Sequence, residues 1–77
     1  MASVKEQKYM AAFGKHLAEL RRSYGYTQAE LAEKVDMATH SLALIEQGQR
    51  WPRLITLHSI AKVLKMPTKE LLDGLKQ

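Results

Sequence analysis

Apolar side chains recur at steps of three and four residues along nearly the whole chain, and no segment alternates apolar and polar positions as a strand does. In the first third of the chain these positions are Met10, Phe13, Leu17, Leu20 and Tyr24. They predict a first helix from about Lys5 to Ser23, and Gly25 follows where a helix-ending glycine belongs. The fold class that this periodicity indicates is all-α.

Two short helices joined by a tight turn are predicted next, in residues 27–47. Thr27 and Glu30 have the spacing of a capping box, which begins a second helix that ends before a turn at residues 36–37. A third helix covers about 39–47 and is followed by a glycine. A pair of helices in this arrangement usually inserts its second helix into the major groove of DNA.

Two further helices are predicted in the rest of the chain. The fourth follows Pro52, and a short fifth begins near Pro67, a residue suited to a first helical turn. The positions expected to face inward in the fourth helix are Leu54, Leu57, Ile60, Ala61 and Leu64, and the fifth helix carries Leu71, Leu72 and Leu75. The chain is therefore expected to form a compact five-helix bundle and a single domain over residues 1–77.

Composition narrows the class of protein. The chain has no cysteine, which excludes disulfides and thiolate metal sites. Its N-terminus is polar, so no secretory signal is expected. No apolar run reaches the ~18 residues that span a bilayer, so no membrane segment is expected either, and the expected location is the cytoplasm. Twelve Lys and Arg against eight Asp and Glu give a formal charge of +4, which favours a polyanionic partner without identifying one.

The third helix has two distinct faces at 100° per residue. Leu42 and Ile45 share one face with Ala38, and this face is expected to be buried. The opposite side carries Thr39, His40, Ser41, Ala43, Leu44 and Gln47. Its hydroxyl, imidazole and amide groups suit base edges, Leu44 suits a thymine methyl, and no carboxylate is present to repel phosphate. Any solvated helix has a similar outer face, so the pattern alone leaves both interpretations open.

An ordered set of motifs extends over most of the chain: Phe13-Gly14…Leu17…Leu20-Arg21, Gly25-Tyr26-Thr27-Gln28-Ala29-Glu30-Leu31-Ala32, Leu42…Ile45-Glu46-Gln47-Gly48 and Arg50…Pro52…Leu57…Ala61…Leu64. In this order the motifs resemble the Cro/C1-type (XRE-like) helix-turn-helix family of phage and bacterial regulators. The resemblance covers about residues 13–73 and leaves 1–8 as an extension expected to fray. It implies a lambda-repressor-like fold and a sequence-specific transcriptional regulator that binds double-stranded DNA as a homodimer on a short palindromic operator.

The resemblance also implies roles for individual residues. Base reading is expected from Thr39, His40 and Leu44, with Ser41 and Ala43 beside them. Phosphate contacts are expected from Gln28 and Arg50 by the resemblance. Gln47 at the end of the third helix and Arg53 in the basic segment that follows it are further phosphate candidates from their positions, since the resemblance supports Arg50 more than Arg53. Gln28 lies at the first position of the second helix, where free amides favour an anion. An ion pair between Arg21 and Glu46 is expected to fix the angle of the reading helix. Trp51 either lies on the sugar-phosphate backbone or covers an edge of the core.

Three positions depart from the family pattern: Asp36 and Ala38 near the turn, and Leu44, which is apolar at a usually polar reading position. Asp36 stands where the family often has glycine, although aspartate tolerates a left-handed backbone better than most residues. Ala38 replaces a common capping Ser or Thr, which costs about 1 kcal/mol unless Thr39 takes over as the cap.

A single reading helix contacts few base pairs, so useful specificity requires a dimer. Candidate dimer residues are Ile55, Leu72 and Leu75, with core packing as the alternative and, for Leu72, the favoured one. A rival function is a protein-interaction module, an antitoxin or a co-regulator, with Leu44 and Trp51 as apolar contact residues. The histidines His16, His40 and His58 have no metal-ligand spacing, so no enzyme, metal, cofactor or small-molecule ligand is expected.

Overall fold

The computed structural model describes residues 3–75, and in this range every regular element is a helix and there is no strand. The helices are α1 (Val4–Ser23), α2 (Gln28–Val35), α3 (Thr39–Glu46), α4 (Leu54–Val63), α5 (Thr68–Leu71) and a closing 3₁₀ helix (Leu72–Leu75). The predicted all-α, five-helix architecture is confirmed. None of the helices in the described range is long and apolar enough to cross a membrane.

The first helix begins earlier than the predicted extension allows. Ser3 is its N-cap, and the Ser3 hydroxyl accepts the Glu6 backbone N–H at 3.0 Å. Residues 4–8, expected to fray, are therefore the first turns of a 20-residue helix. A side-chain cap of this kind satisfies an otherwise orphaned amide, which the hydrophobic pattern alone does not reveal. Residues 1 and 2 of the predicted extension lie outside the described residues.

The second helix begins at the predicted capping box. The Glu30 backbone N–H donates to the Thr27 hydroxyl at 3.1 Å, and the Thr27 backbone N–H donates to the Glu30 carboxylate at 2.8 Å. These bonds from Thr27, backbone first, hold the pKa of Glu30 below its usual value of 4.5. The helix ends at Asp36, whose φ of 61° is in the left-handed region, the conformation expected of a residue in a glycine position.

One hydrophobic core joins the helices. Its fully buried large side chains are Phe13, Leu17, Leu31, Leu42, Ile60, Leu64 and Leu71. The first helix packs against α3 and against the C-terminal 3₁₀ helix, while α2 packs against α3 and α4. The core therefore holds α3 between α1 and α2 and leaves one side of it facing solvent.

Three expectations about the core are wrong. Leu54 is 80% exposed, because it is the first residue of α4 and the packed face begins one turn later, at Leu57. Leu72 is 38% exposed, because the helix tightens to 3₁₀ there and the α-helical spacing no longer applies. Ala38 is exposed, because it is the N-cap of α3 with an extended backbone and lies outside the helical period. Pro67 likewise precedes α5 as its N-cap.

Candidate nucleic-acid interface

On the outer side of α3, the residues at the two ends are exposed and those in the middle are half-buried. Thr39 and His40 at the N-terminal end, and Gln47 just after the C-terminal end, are exposed. Between them Ser41, Ala43 and Leu44 are half-buried. The predicted reading side therefore faces solvent, and its most accessible polar groups are the hydroxyl of Thr39 and the imidazole of His40.

The N-terminus of α3 has no side-chain cap. Ala38 is the N-cap residue and supplies no hydrogen-bonding side chain, and Thr39 does not replace it. The amides of the first turn are left for solvent or a ligand, and they carry the positive end of the helix dipole. An anion approaching Thr39 and His40 therefore meets favourable backbone charge.

A buried ion pair fixes the other end of α3. Arg21 donates through Nε to Glu46 Oε2 at 2.7 Å and through Nη2 to Glu46 Oε1 at 3.1 Å, and its Nη1 donates to the Tyr26 carbonyl at 2.8 Å. The two charged side chains are 8% and 4% exposed. The expected ion pair is thus present as a bidentate contact between α1 and α3. Such a pair fixes geometry more surely than it adds net stability.

Gln28 joins this network. Its Nε2 donates to Glu46 Oε1 at 2.9 Å, and the side chain is half-buried. Only the NH₂ group of the amide can donate to a carboxylate, so Glu46 fixes the orientation of the Gln28 amide. One amide hydrogen remains for the predicted phosphate contact. The sequence pattern does not predict this coupling, because the two residues are 18 positions apart.

The close approach of α1 and α3 depends on Gly14. A Cβ built at Gly14 would lie 2.4 Å from the Ile45 carbonyl oxygen and 2.6 Å from the Glu46 carbonyl oxygen. Only a hydrogen atom fits there, so Gly14 sets the distance between the reading helix and α1. A glycine inside an apolar helical pattern is the signal that could have indicated this role.

The segment after α3 carries two exposed arginines, and residues 49–53 are called the basic loop below. Arg50 donates through Nη1 to the Ser41 hydroxyl at 3.3 Å, which puts its guanidinium beside the first turn of α3. Arg53 is the N-cap of α4. The structure therefore leaves both arginines of the α3–α4 connection exposed to solvent.

Trp51 covers an edge of the core. Its ring lies 5.9 Å from the Phe13 ring, centroid to centroid, with the planes tilted by 49°. The indole Nε1 donates to Glu6 Oε2 at 3.0 Å. Of the two interpretations of Trp51 that the sequence left open, the structure matches the core-covering one, and nothing in the sequence pattern singles out Glu6 as its partner.

The remaining histidines take no part in this surface. The His16 ring shares a hydrogen bond with the Glu70 carbonyl at 3.0 Å, and His58 is exposed on α4. Across residues 3–75, no three His, Asp or Glu side chains come together as a metal site.

Comparison with known proteins identifies the family. A sequence profile described as helix-turn-helix matches residues 17–71, more than half of the chain. The uncharacterized HTH-type transcriptional regulator y4dJ of Sinorhizobium fredii is 36% identical over 58 residues, which are 75% of this chain and 75% of that protein. The HTH-type transcriptional regulator ImmR of Bacillus subtilis is 36% identical over 61 residues, covering 79% of this chain and 48% of ImmR.

Solved structures with the same fold include two regulators. The restriction-modification controller protein C.AhdI from Aeromonas hydrophila superposes with a TM-score of 0.78 at 31% identity, covering 80% of this chain and 94% of that one. The clp gene regulator ClgR from Corynebacterium glutamicum superposes with a TM-score of 0.80 at 25% identity, covering 87% and 71% of the two chains. The profile match and the fold agree with the motifs, and the chain belongs to the helix-turn-helix family of the Cro/C1 (XRE-like) type, a family of transcriptional regulators and not of enzymes.

Proposed function

We propose that the protein is a sequence-specific DNA-binding regulator that inserts α3 into the major groove of a short palindromic operator as a homodimer. It would act in the cytoplasm of a bacterium, encoded by the bacterium itself or by a phage. The observation that carries the proposal is the presentation of α3. Its uncapped N-terminus exposes Thr39 and His40, while Gly14 and the Arg21–Glu46 pair fix the helix from behind. A rigid helix with exposed hydrogen-bonding groups suits direct readout of base edges.

The polar groups at the two ends of α3 support phosphate contacts on both sides of the reading helix. Gln28 is bonded to Glu46 at the C-terminal end, and Arg50 is bonded to Ser41 near the N-terminal end. Gln47 and Arg53 add an exposed amide and a second guanidinium. Contacts of this kind determine the register of a protein on the duplex, whereas base contacts supply specificity.

Exposed apolar residues on α4 and the C-terminal 3₁₀ helix support a dimer. Ile55 is 66% exposed beside the still more exposed Leu54, and Leu72 is also exposed. Leu75 packs partly against the core and is the least available of the predicted dimer residues. The longest dimension of the described chain is 31 Å, close to the ~34 Å that separates adjacent half-sites. Two such subunits side by side along this dimension would place their α3 helices about one helical turn of DNA apart.

The alternative, a protein-interaction module, has less support. It relied on Leu44 and Trp51 as protruding apolar contact residues, yet Leu44 is half-buried and Trp51 packs against Phe13 of the same chain. An interface anchored by buried aromatic residues needs side chains that reach the partner.

The test of the proposal is equilibrium binding of a labelled duplex DNA, measured by fluorescence anisotropy at several salt concentrations. We expect log K to fall linearly with log salt, as counterion release requires. Thr39→Ala and His40→Ala should weaken discrimination between duplexes by about 1–3 kcal/mol per lost base contact. His58→Ala removes an exposed imidazole from α4 and serves as the matched control for His40→Ala. Equal binding by both histidine variants on every duplex tested would exclude His40 from the interface.

A further inference from the structure

The N-terminal half of α1 holds the basic loop in place. Gly48, just before the loop, lies against Ala11, where an added Cβ would come within 2.7 Å of the Ala11 Cα. Trp51, within the loop, packs on an aromatic ring of α1 and donates its indole N–H to Glu6 Oε2 at 3.0 Å. The loop is therefore bound to α1 at two points on either side of Arg50.

Arg50 and Trp51 are neighbours in sequence, and their side chains contact different helices. Trp51 contacts α1, and Arg50 contacts Ser41 of α3. The two residues share one peptide unit, so holding the Trp51 ring against α1 restricts where the backbone of Arg50 can lie. That restriction limits the positions from which the Arg50 guanidinium reaches Ser41 on α3.

Glu6 lies outside the residues 17–71 that match the family profile, so its bond to Trp51 is a feature of the N-terminal part of this chain. We infer that Glu6 is a positioning residue for DNA binding: by accepting the indole N–H of Trp51, it holds the basic loop so that Arg50 reaches a DNA phosphate. This inference rests on the proposed function.

Whether removal of the Glu6 carboxylate weakens or tightens DNA binding distinguishes a positioning role from a simple charge effect. Glu6 is an acidic residue in a protein proposed to bind a polyanion, so charge alone predicts that its removal tightens DNA binding. Positioning predicts the opposite. Loss of one phosphate contact lowers the slope of log K against log salt by about 0.9, which at about 0.1 M salt is an affinity loss of roughly eightfold.

The experiment compares Glu6→Ala with Glu6→Gln. The two variants carry the same charge, and only the glutamine supplies a side-chain oxygen that can accept the indole N–H. Glu19→Ala is the control, because Glu19 is exposed on the same helix and lies about 20 Å farther along its axis. The probe is a fluorescein-labelled, mixed-sequence duplex of about 30 base pairs, because phosphate contacts act on any sequence.

We expect Glu6→Ala to bind roughly eightfold more weakly than wild type with a shallower salt slope, and Glu6→Gln to bind like wild type. Trp51 is the only tryptophan in the sequence, so its emission spectrum reports the contact directly and should shift in Glu6→Ala but not in Glu6→Gln. Trp51→Phe keeps an aromatic ring and removes the donor, and it should reproduce the binding of Glu6→Ala. Thermal melts verify that each variant is folded.

Two results would overturn the inference in distinguishable ways. If wild type binds the duplex and Glu6→Ala binds as tightly as Glu19→Ala with an unchanged salt slope, Glu6 acts only through its charge. If wild type shows no salt-dependent binding to any duplex, the proposed function fails and the positioning role fails with it.

Discussion

Replacing Gly14 with alanine tests how the reading helix is positioned, because two physical effects predict opposite signs. In a helix interior alanine is favoured over glycine by about 1 kcal/mol, so propensity alone predicts a more stable protein. The added Cβ would lie 2.4 Å from the Ile45 carbonyl oxygen and 2.6 Å from that of Glu46. Nonbonded heavy atoms prefer a separation of about 3.5 Å, so the end of α3 must retreat by roughly 1 Å.

Both sides of this contact are backbone, so no side-chain rotation can relieve it. Overpacking of this kind costs about 1–3 kcal/mol, and the shift also strains the Arg21–Glu46 bonds at the same helix end. Because no rotamer change relieves the contact, we expect a cost in the upper part of this range, about 2–3 kcal/mol. After the propensity gain of about 1 kcal/mol is subtracted, Gly14→Ala should lose about 1–2 kcal/mol of unfolding free energy. For a domain of this size, such a loss lowers the melting temperature by roughly 4–16 °C.

The assay is thermal and urea unfolding followed by circular dichroism, together with duplex binding at a temperature where the variant is fully folded. Lys15→Gly and Lys15→Ala form the matched control, because Lys15 is the next residue of α1 and is exposed. The stability difference between these two variants measures helix propensity without the close contact. DNA affinity should also fall in folded Gly14→Ala, because α3 is displaced. A melting temperature equal to or above that of wild type would refute the reasoning.

Three further predictions follow from named contacts. Because the pKa of Glu30 is lowered in the folded state, the contribution of its capping bonds to stability is present above the usual carboxyl pKa near 4.5 and is lost as the pH falls through the lowered value. In Glu30→Gln, the unfolding free energy should therefore fall less steeply with decreasing pH on the acid side. Arg50→Ala should reduce the slope of log K against log salt by about 1 in duplex titrations, and Lys15→Ala should leave that slope nearly unchanged. Ile55→Glu should convert a dimer into a folded monomer in sedimentation equilibrium, because a carboxylate at an exposed position is tolerated in the monomer but not in an apolar seam; an unchanged mass would remove Ile55 from the interface.

Local signals in the sequence predict local structure well in this chain. The capping box at Thr27 and Glu30 and the left-handed turn at Asp36 depend on residues close in sequence, and both occur where the pattern indicates. The errors fall at helix ends. Leu54 and Leu72 both fit the apolar period of the sequence. Leu54, however, is the first residue of α4 and precedes its packed face, and Leu72 is the first residue of the 3₁₀ helix. Periodicity describes the interior of a helix and carries no information about its first and last turns.

Long-range contacts around the candidate interface were beyond sequence reasoning for a different reason. The bond between Glu6 and Trp51 joins residues 45 positions apart, and the bond between Gln28 and Glu46 joins residues 18 apart. Neither has a spacing that a helix or a turn repeats. The Arg21–Glu46 pair, 25 positions apart, was expected only because the family resemblance implied it. Tertiary partners of single polar side chains follow from packing, which the folded structure supplies.

The most direct test of α3 as the DNA-reading helix is selection of wild-type binding sites from a randomised duplex pool, with Thr39→Ala/His40→Ala selected in parallel. We expect wild type to enrich an inverted repeat with half-site centres about 10 base pairs apart. The double variant should lose preference at specific positions within each half-site while still melting cooperatively. Enrichment of the same sites by both proteins, or of no site by wild type, would contradict the assignment of α3 as the reading helix.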